Sequence, residues 1–135
     1  MKRAIFYLTS LFFIATLISF QSASTDLEVS MKRGKEIYLN NCISCHMDNG
    51  EGIPGVFPPL AKSDYLMADL KRSVQQILYG ARGEMTVNGK TYSMEMAGFN
   101  FTDEEMSDLL NYIRNSWGNK AAPVTSADVA EARKK

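Results

Sequence analysis

The chain has 135 residues, enough for one small domain and too few for two independent cores. Its 15 Lys and Arg balance 15 Asp and Glu for a formal net charge of zero, so it lacks the basic stripe that nucleic-acid binding calls for. Two cysteines and one histidine are too few for a four-ligand zinc site of Cys and His.

The N-terminus reads as a targeting segment. Met1-Lys2-Arg3 is a positive n-region, Ala4 to Phe20 is an almost unbroken apolar run, and Gln21-Ser22-Ala23-Ser24 offers small residues suited to cleavage after Ser24. Residues 1–24 therefore match a secretory signal peptide. The apolar run is at the short edge of what spans a bilayer, so the alternative is an uncleaved anchor on the outer face of the cytoplasmic membrane. Either way the protein is expected outside the cytoplasm, in the periplasm or otherwise exported. The expected domain is 25–135, with a core at about 27–119 and a C-terminal tail at 120–135. Removing 1–24 takes away Lys2 and Arg3 and no acid, leaving a formal charge of −2.

Leu27 to Asn41 is free of proline and rich in helix formers. Val29, Gly34, Ile37, Tyr38 and Asn41 recur at three- and four-residue steps, which predicts a helix. It runs directly into Cys42-Ile43-Ser44-Cys45-His46, which holds both cysteines and the histidine. Cysteines at i and i+3 share one face of a helical turn, so two thiols can straddle one edge of a porphyrin and add across its vinyl groups. The next residue then aims an imidazole at the iron. Cys-x-x-Cys-His thus reads as the attachment site of one covalent haem c. A dithiol redox site needs no adjacent histidine and usually sits in a strand–helix–strand fold, for which there is no pattern here. Covalent haem attachment in bacteria occurs outside the cytoplasmic membrane, in agreement with the export signal.

Asn49 to Pro59 is broken by Gly50, Gly52, Gly55, Pro54, Pro58 and Pro59 and is read as loop. Ser63 to Tyr79 returns to helix in two pieces meeting near Ala68–Asp69, with Leu70, Val74, Ile77 and Leu78 as its apolar stripe. Gly80 to Met96 is irregular, with a small hairpin predicted over Val87–Tyr92 on an Asn-Gly turn. Thr102-Asp103-Glu104-Glu105 is a capping box before an amphipathic helix carrying Met106, Leu109, Leu110, Tyr112 and Ile113, expected to end near Trp117-Gly118. Thr125-x-x-Asp128 starts a last short helix.

This order resembles class I c-type cytochromes, with the haem motif near the N-terminus and a helix closing the domain. Three further segments carry the resemblance. Gly34-x-x-x-Tyr38-x-x-x-Cys42 matches the helix in which a glycine lets the first helix cross closely over the last, with Leu109-x-x-Tyr112 as the partner pair. Phe57-Pro58-Pro59-Leu60 matches the segment whose proline carbonyl accepts the Nδ1 proton of the proximal histidine; Pro58 is the first choice and Pro59 the second. Tyr92-Ser93-Met94-Glu95-Met96 matches the tyrosine, three residues, then methionine that supplies the sixth ligand, which selects Met96 over Met94 and Met85. Ala97 departs from the family, where proline often follows that methionine, so the stiffness proline gives is lacking. Asn111 to Asn119 resembles the closing helix of periplasmic cytochromes that serve, or are fused to, copper nitrite reductases, quinoprotein dehydrogenases and terminal oxidases, with Trp117 as a packing residue.

The resemblance implies an all-α fold of three to five short helices wrapped around one haem. Cys42 and Cys45 would hold it, His46 and Met96 would ligate the iron, and Pro58 would orient His46. It implies a carrier of single electrons, not an enzyme in its own right. Its partners would be redox proteins: a donor dehydrogenase or quinol-oxidising complex and an acceptor reductase or oxidase. Nucleic acid has no part in this reading, and a membrane has one only if residues 1–24 stay attached. Two alternatives use the same motif: a sensor or gas-binding protein with an open distal site, and the cytochrome subunit of a larger dehydrogenase or reductase complex.

Overall fold

A computed structural model describes residues 26–134; the N-terminal segment read as a signal peptide or anchor lies outside the described residues. Helix α1 covers 26–41, and its last turn passes through Cys42, whose N–H donates to the Tyr38 carbonyl at 2.8 Å, into α2 (Ile43–His46). After a looped stretch come α3 (Asp64–Ala68) and α4 (Leu70–Tyr79). They are separated as expected at Asp69, whose extended backbone (φ −149°) ends one helix while its carboxylate caps Arg72 N–H of the next. Strands β1 (Met85–Val87) and β2 (Lys90–Tyr92) form the predicted hairpin, with Thr86 opposite Thr91. Asn88 and Gly89 sit at φ +49° and +74°, the left-handed pair that a two-residue hairpin turn requires. Asn88 also exchanges hydrogen bonds of 3.0 and 2.8 Å with Asp64, tying the hairpin to the start of α3.

Helix α5 (Asp103–Ile113) begins on the expected capping box: Thr102 Oγ1 accepts from Glu105 N–H while the Glu105 carboxylate accepts from Thr102 N–H. It stops four residues short of the Trp117-Gly118 signal. The reason is side-chain capture of its terminal carbonyls. Asn115 Nδ2 donates to the Asn111 carbonyl at 3.1 Å, and Asn119 Nδ2 to that of Ile113 at 2.7 Å, satisfying groups that further helix would otherwise use. Helix α6 (Ser126–Arg133) starts on a second capping box, Thr125 with Asp128. The stretch from 120, expected as a tail, is part of the packed structure, because Val124, Val129 and Ala132 are buried in the core with residues of α4 and α5. Among the described residues, six helical segments and one hairpin make up the expected mostly helical domain, in which α2 and α3 are each little more than a turn.

The crossing of α1 over α5 places the haem motif. A Cβ on Gly34 would fall on the Asp108 carbonyl oxygen and 2.9 Å from Tyr112 Cβ, so glycine lets the two backbones touch. The residue beneath it is Asp108 rather than the expected Leu109, which turns into the core and is 1 % exposed. Tyr38 packs beside the crossing against Tyr112 and Trp117, with ring centroids 5.5 and 5.0 Å away. Asp108 itself is buried and fully engaged. It accepts from Ser30 Oγ at 2.6 Å and, in a two-pronged pair, from Arg33 at 2.5 and 2.7 Å. Next to it Asn111 donates to Ser30 Oγ and the Val124 carbonyl and accepts from Val124 N–H. One polar network therefore joins α1, α5 and the segment leading to α6.

Gly34→Val is expected to cost about 3 kcal/mol or more, because the clash is with backbone that cannot swing aside. Urea unfolding of the haem-loaded protein measures it; a midpoint equal to that of the unsubstituted chain would contradict the close crossing.

Candidate functional site

The α1–α2 junction, the loop after it, α4, α5 and the hairpin segment enclose a cavity of ≈ 500 Å³. All five residues singled out from the sequence line it: Cys42, Cys45, His46, Pro58 and Met96. Most of the remaining wall is apolar, with Leu60, Leu66, Ile77, Leu109 and Ile113 among its residues. Met85 and Met94 also line it.

His46 Nδ1 lies 3.0 Å from the Pro58 carbonyl oxygen. A carbonyl can only accept, so Nδ1 carries the proton and Nε2 keeps its lone pair. Burial lowers the imidazole pKa from its ordinary value, opposed by the Pro58 hydrogen bond, so the ring is neutral at neutral pH, the form that binds iron. Helix α2 holds the ring in place: His46 N–H donates to the Cys42 carbonyl at 3.0 Å, and His46 O accepts from Gly52 N–H at 3.0 Å. Neither cysteine is in a disulfide, so both sulfurs are available for thioether bonds. Burial first, and then the neighbouring Cys45, pushes the Cys42 thiol up to about 11.

Met96 is held by its backbone. It forms an isolated antiparallel bridge with Ala81, with both N–H···O bonds at 3.0 Å. Two glycines permit this: a Cβ on Gly80 would sit 2.6 Å from Met96 O, and one on Gly98 would sit 2.5 Å from Leu78 O. Phe99 N–H then donates to the Ile77 carbonyl at 2.9 Å. Clamping to the end of α4 thus supplies the rigidity that Ala97, standing where the family often has proline, does not. Met94 is 50 % exposed, and Met96 is half-buried against the core.

Further residues shape this site, and two of them, Gly52 and Asn119, carry no local sequence signal for it. Gly52, at φ +63°, has no room for a Cβ, which would meet the Phe57 carbonyl oxygen and lie 2.7 Å from Pro58 O. It therefore lets the chain close so that the Pro58 carbonyl reaches His46. Tyr38 Oη donates to Met47 O at 2.6 Å, fixing the residue after the histidine at φ +64°, ψ +169°, backbone that non-glycine residues rarely adopt. Asn119 Nδ2 donates to the Leu60 carbonyl at 2.8 Å, anchoring the loop beyond Pro58 to the end of α5. Trp117 packs its ring over Gly50, where a Cβ would come within 2.5 Å of Cε3, in keeping with the expected packing role.

Two free thiols one helical turn apart, a neutral imidazole with its Nδ1 committed, and a largely apolar cavity beside them fit a flat hydrophobic macrocycle attached along one edge. The same donors do not make a cation cage: among the described residues no group of three or more His, Cys, Asp or Glu side chains could hold a metal ion.

The profile of the cytochrome c family matches residues 31–117. The chain is 35 % identical to cytochrome c-552 of Thermus thermophilus over 119 residues, 81 % of this chain and 80 % of that protein. It is 34 % identical to the cytochrome c subunit of the quinone alcohol dehydrogenase of Gluconobacter oxydans over 103 residues, 74 % of this chain but only 22 % of that subunit. It is also 29 % identical to the FixP subunit of a cbb3-type cytochrome c oxidase of Bradyrhizobium diazoefficiens, over 77 % of this chain and 36 % of that protein. The chain thus spans about a fifth of the dehydrogenase subunit and most of the c-552 protein.

Gly52→Ala is expected to push the Pro58 carbonyl away from His46 and speed solvent exchange of the Nδ1 proton about tenfold or more. Proton NMR of the reduced, haem-loaded protein reads this directly; unchanged exchange would mean that Gly52 does not set the contact.

Proposed function

Since the chain belongs to the cytochrome c family and carries a covalently bound haem c, we propose that Cys42 and Cys45 would hold the haem through two thioether bonds and that His46 and Met96 would ligate its iron. The iron supplies a reversible one-electron change between Fe(III) and Fe(II). The protein is an electron-carrying mono-haem cytochrome, and on this reading its own residues set the conditions for transfer. Pro58 orients the His46 ring and, by accepting the Nδ1 proton, raises the basicity of Nε2. The Met96 thioether favours the reduced state. The bridge to Ala81 and the hydrogen bond to Pro58 hold both ligands on fixed backbone, so little rearrangement accompanies transfer. The observation that carries this reading is the 3.0 Å contact of His46 Nδ1 with Pro58 O on the wall that also bears both thiols.

The carrier works between redox proteins rather than as an enzyme itself, passing electrons across small, transient interfaces. The chain is similar both to cytochrome c-552 and to cytochrome subunits of a dehydrogenase and an oxidase, so the carrier reading extends to a free protein and to a subunit of a larger complex alike. A donor dehydrogenase or quinol-oxidising complex and an acceptor reductase or oxidase are the partner classes proposed. Export to the periplasm follows from the pattern of residues 1–24. Among the described residues no helix is long and apolar enough to cross a membrane.

The assignment of the sixth ligand is tested by potentiometry. Met96→His is expected to lower the midpoint potential by on the order of 100 mV, within the ~0.8 V that axial ligands span, while Met94→His leaves it nearly unchanged. The opposite pattern would move the ligand to Met94.

A further inference from the structure

The five described arginines divide sharply by counter-charge. Arg33 pairs with Asp108, Arg82 with Glu95 at 3.8 Å, and Arg133 with Asp103 at 2.7 Å. Arg72 and Arg114 have no carboxylate partner among the described residues, and both reach the same short stretch of cavity wall. Arg72 donates to the Tyr65 carbonyl at 2.6 Å, with its guanidinium 3.7 Å above the Tyr65 ring. Arg114, next to cavity-lining Ile113, donates to the Leu66 carbonyl at 3.4 Å. Tyr65 and Leu66 both line the cavity, and neither arginine does. The Nε atom of each arginine is buried and unpartnered, so neither cation is fully compensated by neighbouring dipoles. Burial lowers the Arg114 pKa from its ordinary value, but the group remains a cation at any working pH.

We propose that Arg72 and Arg114 act together as a fixed positive field behind the Tyr65–Leu66 wall that raises the reduction potential of the haem. This rests on the haem occupying the cavity as described above. The oxidised iron carries one more positive charge than the reduced iron, so a nearby uncompensated cation disfavours Fe(III), and the low-dielectric wall between them weakens the effect less than water would. The paired arginines add little, because a carboxylate beside each cancels its field at a distance. Neither Arg72 nor Arg114 touches the cavity, so both are positioning residues for the potential rather than ligands of the group.

The test is spectropotentiometry of haem-loaded Arg72→Gln and Arg114→Gln, with Arg72→Lys and Arg114→Lys as charge-preserving variants and the double variant Asp103→Asn with Arg133→Gln, which removes a whole ion pair, as the control. At a fixed solution potential each Gln variant is expected to change the ratio of oxidised to reduced protein about threefold toward oxidised, about 28 mV at about 59 mV per tenfold. The Lys variants are expected to keep most of the original potential, and the Asp103→Asn, Arg133→Gln double variant to give no shift. The two positions are independent, so if one Gln variant does not fold, the other decides. Gln variants that keep the covalent-haem spectrum and the original potential would overturn the inference and leave the haem site standing, as would an equal shift from the Asp103→Asn, Arg133→Gln double variant. A native protein lacking covalently attached haem would overturn the site reading and this inference together.

Discussion

A single hydrogen bond from a side chain to the backbone, His46 Nδ1–H to the Pro58 carbonyl, is the contact that the rest of the site depends on. It chooses the tautomer, holds the ring plane and leaves Nε2 as the donor atom. It is tertiary, because the two residues are joined by a loop that can close only where Gly52 leaves room for the Pro58 carbonyl. The loop is then held at both ends. Gly50 O accepts from Leu60 N–H and Ala61 N–H at 2.7 and 2.8 Å, and Asn119 fastens Leu60 to the end of α5. The placing of His46 is thus built from glycine clearance and backbone bonds more than from its own side chain.

A second constraint works on the other ligand candidate. The segment bearing Met96 has no regular structure of its own, and the structure stiffens it by bridging Met96 to Ala81 and pressing Gly80 and Gly98 against neighbouring backbone. Both candidate ligands therefore sit on short irregular segments pinned to helices: His46 through α1 and α2, Met96 through the end of α4. The helices in turn are locked by the Gly34 crossing and by the Ser30–Arg33–Asp108–Asn111 network beside it. Loss of that crossing would be felt at the cavity, because α1 leads directly into Cys42.

Much of this was legible in the chain because it is local. The Asn88-Gly89 turn, the break at Asp69 and the capping boxes at Thr102 and Thr125 each depend on residues a few positions apart, and each appears as expected, while Cys42, Cys45 and His46 of the local motif line one cavity. What was not legible depends on contacts between distant residues. Gly52 reads as an ordinary loop glycine until the Pro58 carbonyl is seen beside it. Asp108 reads as one more surface acid on α5, yet it is 4 % exposed and bonded to residues of α1. Helix α5 ends early because Asn115 and Asn119 capture its carbonyls, whereas the sequence signal pointed to Gly118. Residues 120–135 read as a tail with a last short helix from Thr125, but Val124, Val129 and Ala132 enter the core.

The central claim is that the cavity holds a covalent haem with His46 on one axial position and a methionine sulfur on the other. Optical spectra of protein expressed with a haem-attachment system, oxidised and then reduced, test it most directly. The account predicts the weak far-red band of a ferric iron–methionine bond and sharp reduced bands that do not respond to carbon monoxide. Absence of that band together with rapid carbon monoxide binding would contradict it, and would mean that the position assigned to Met96 is open to small ligands.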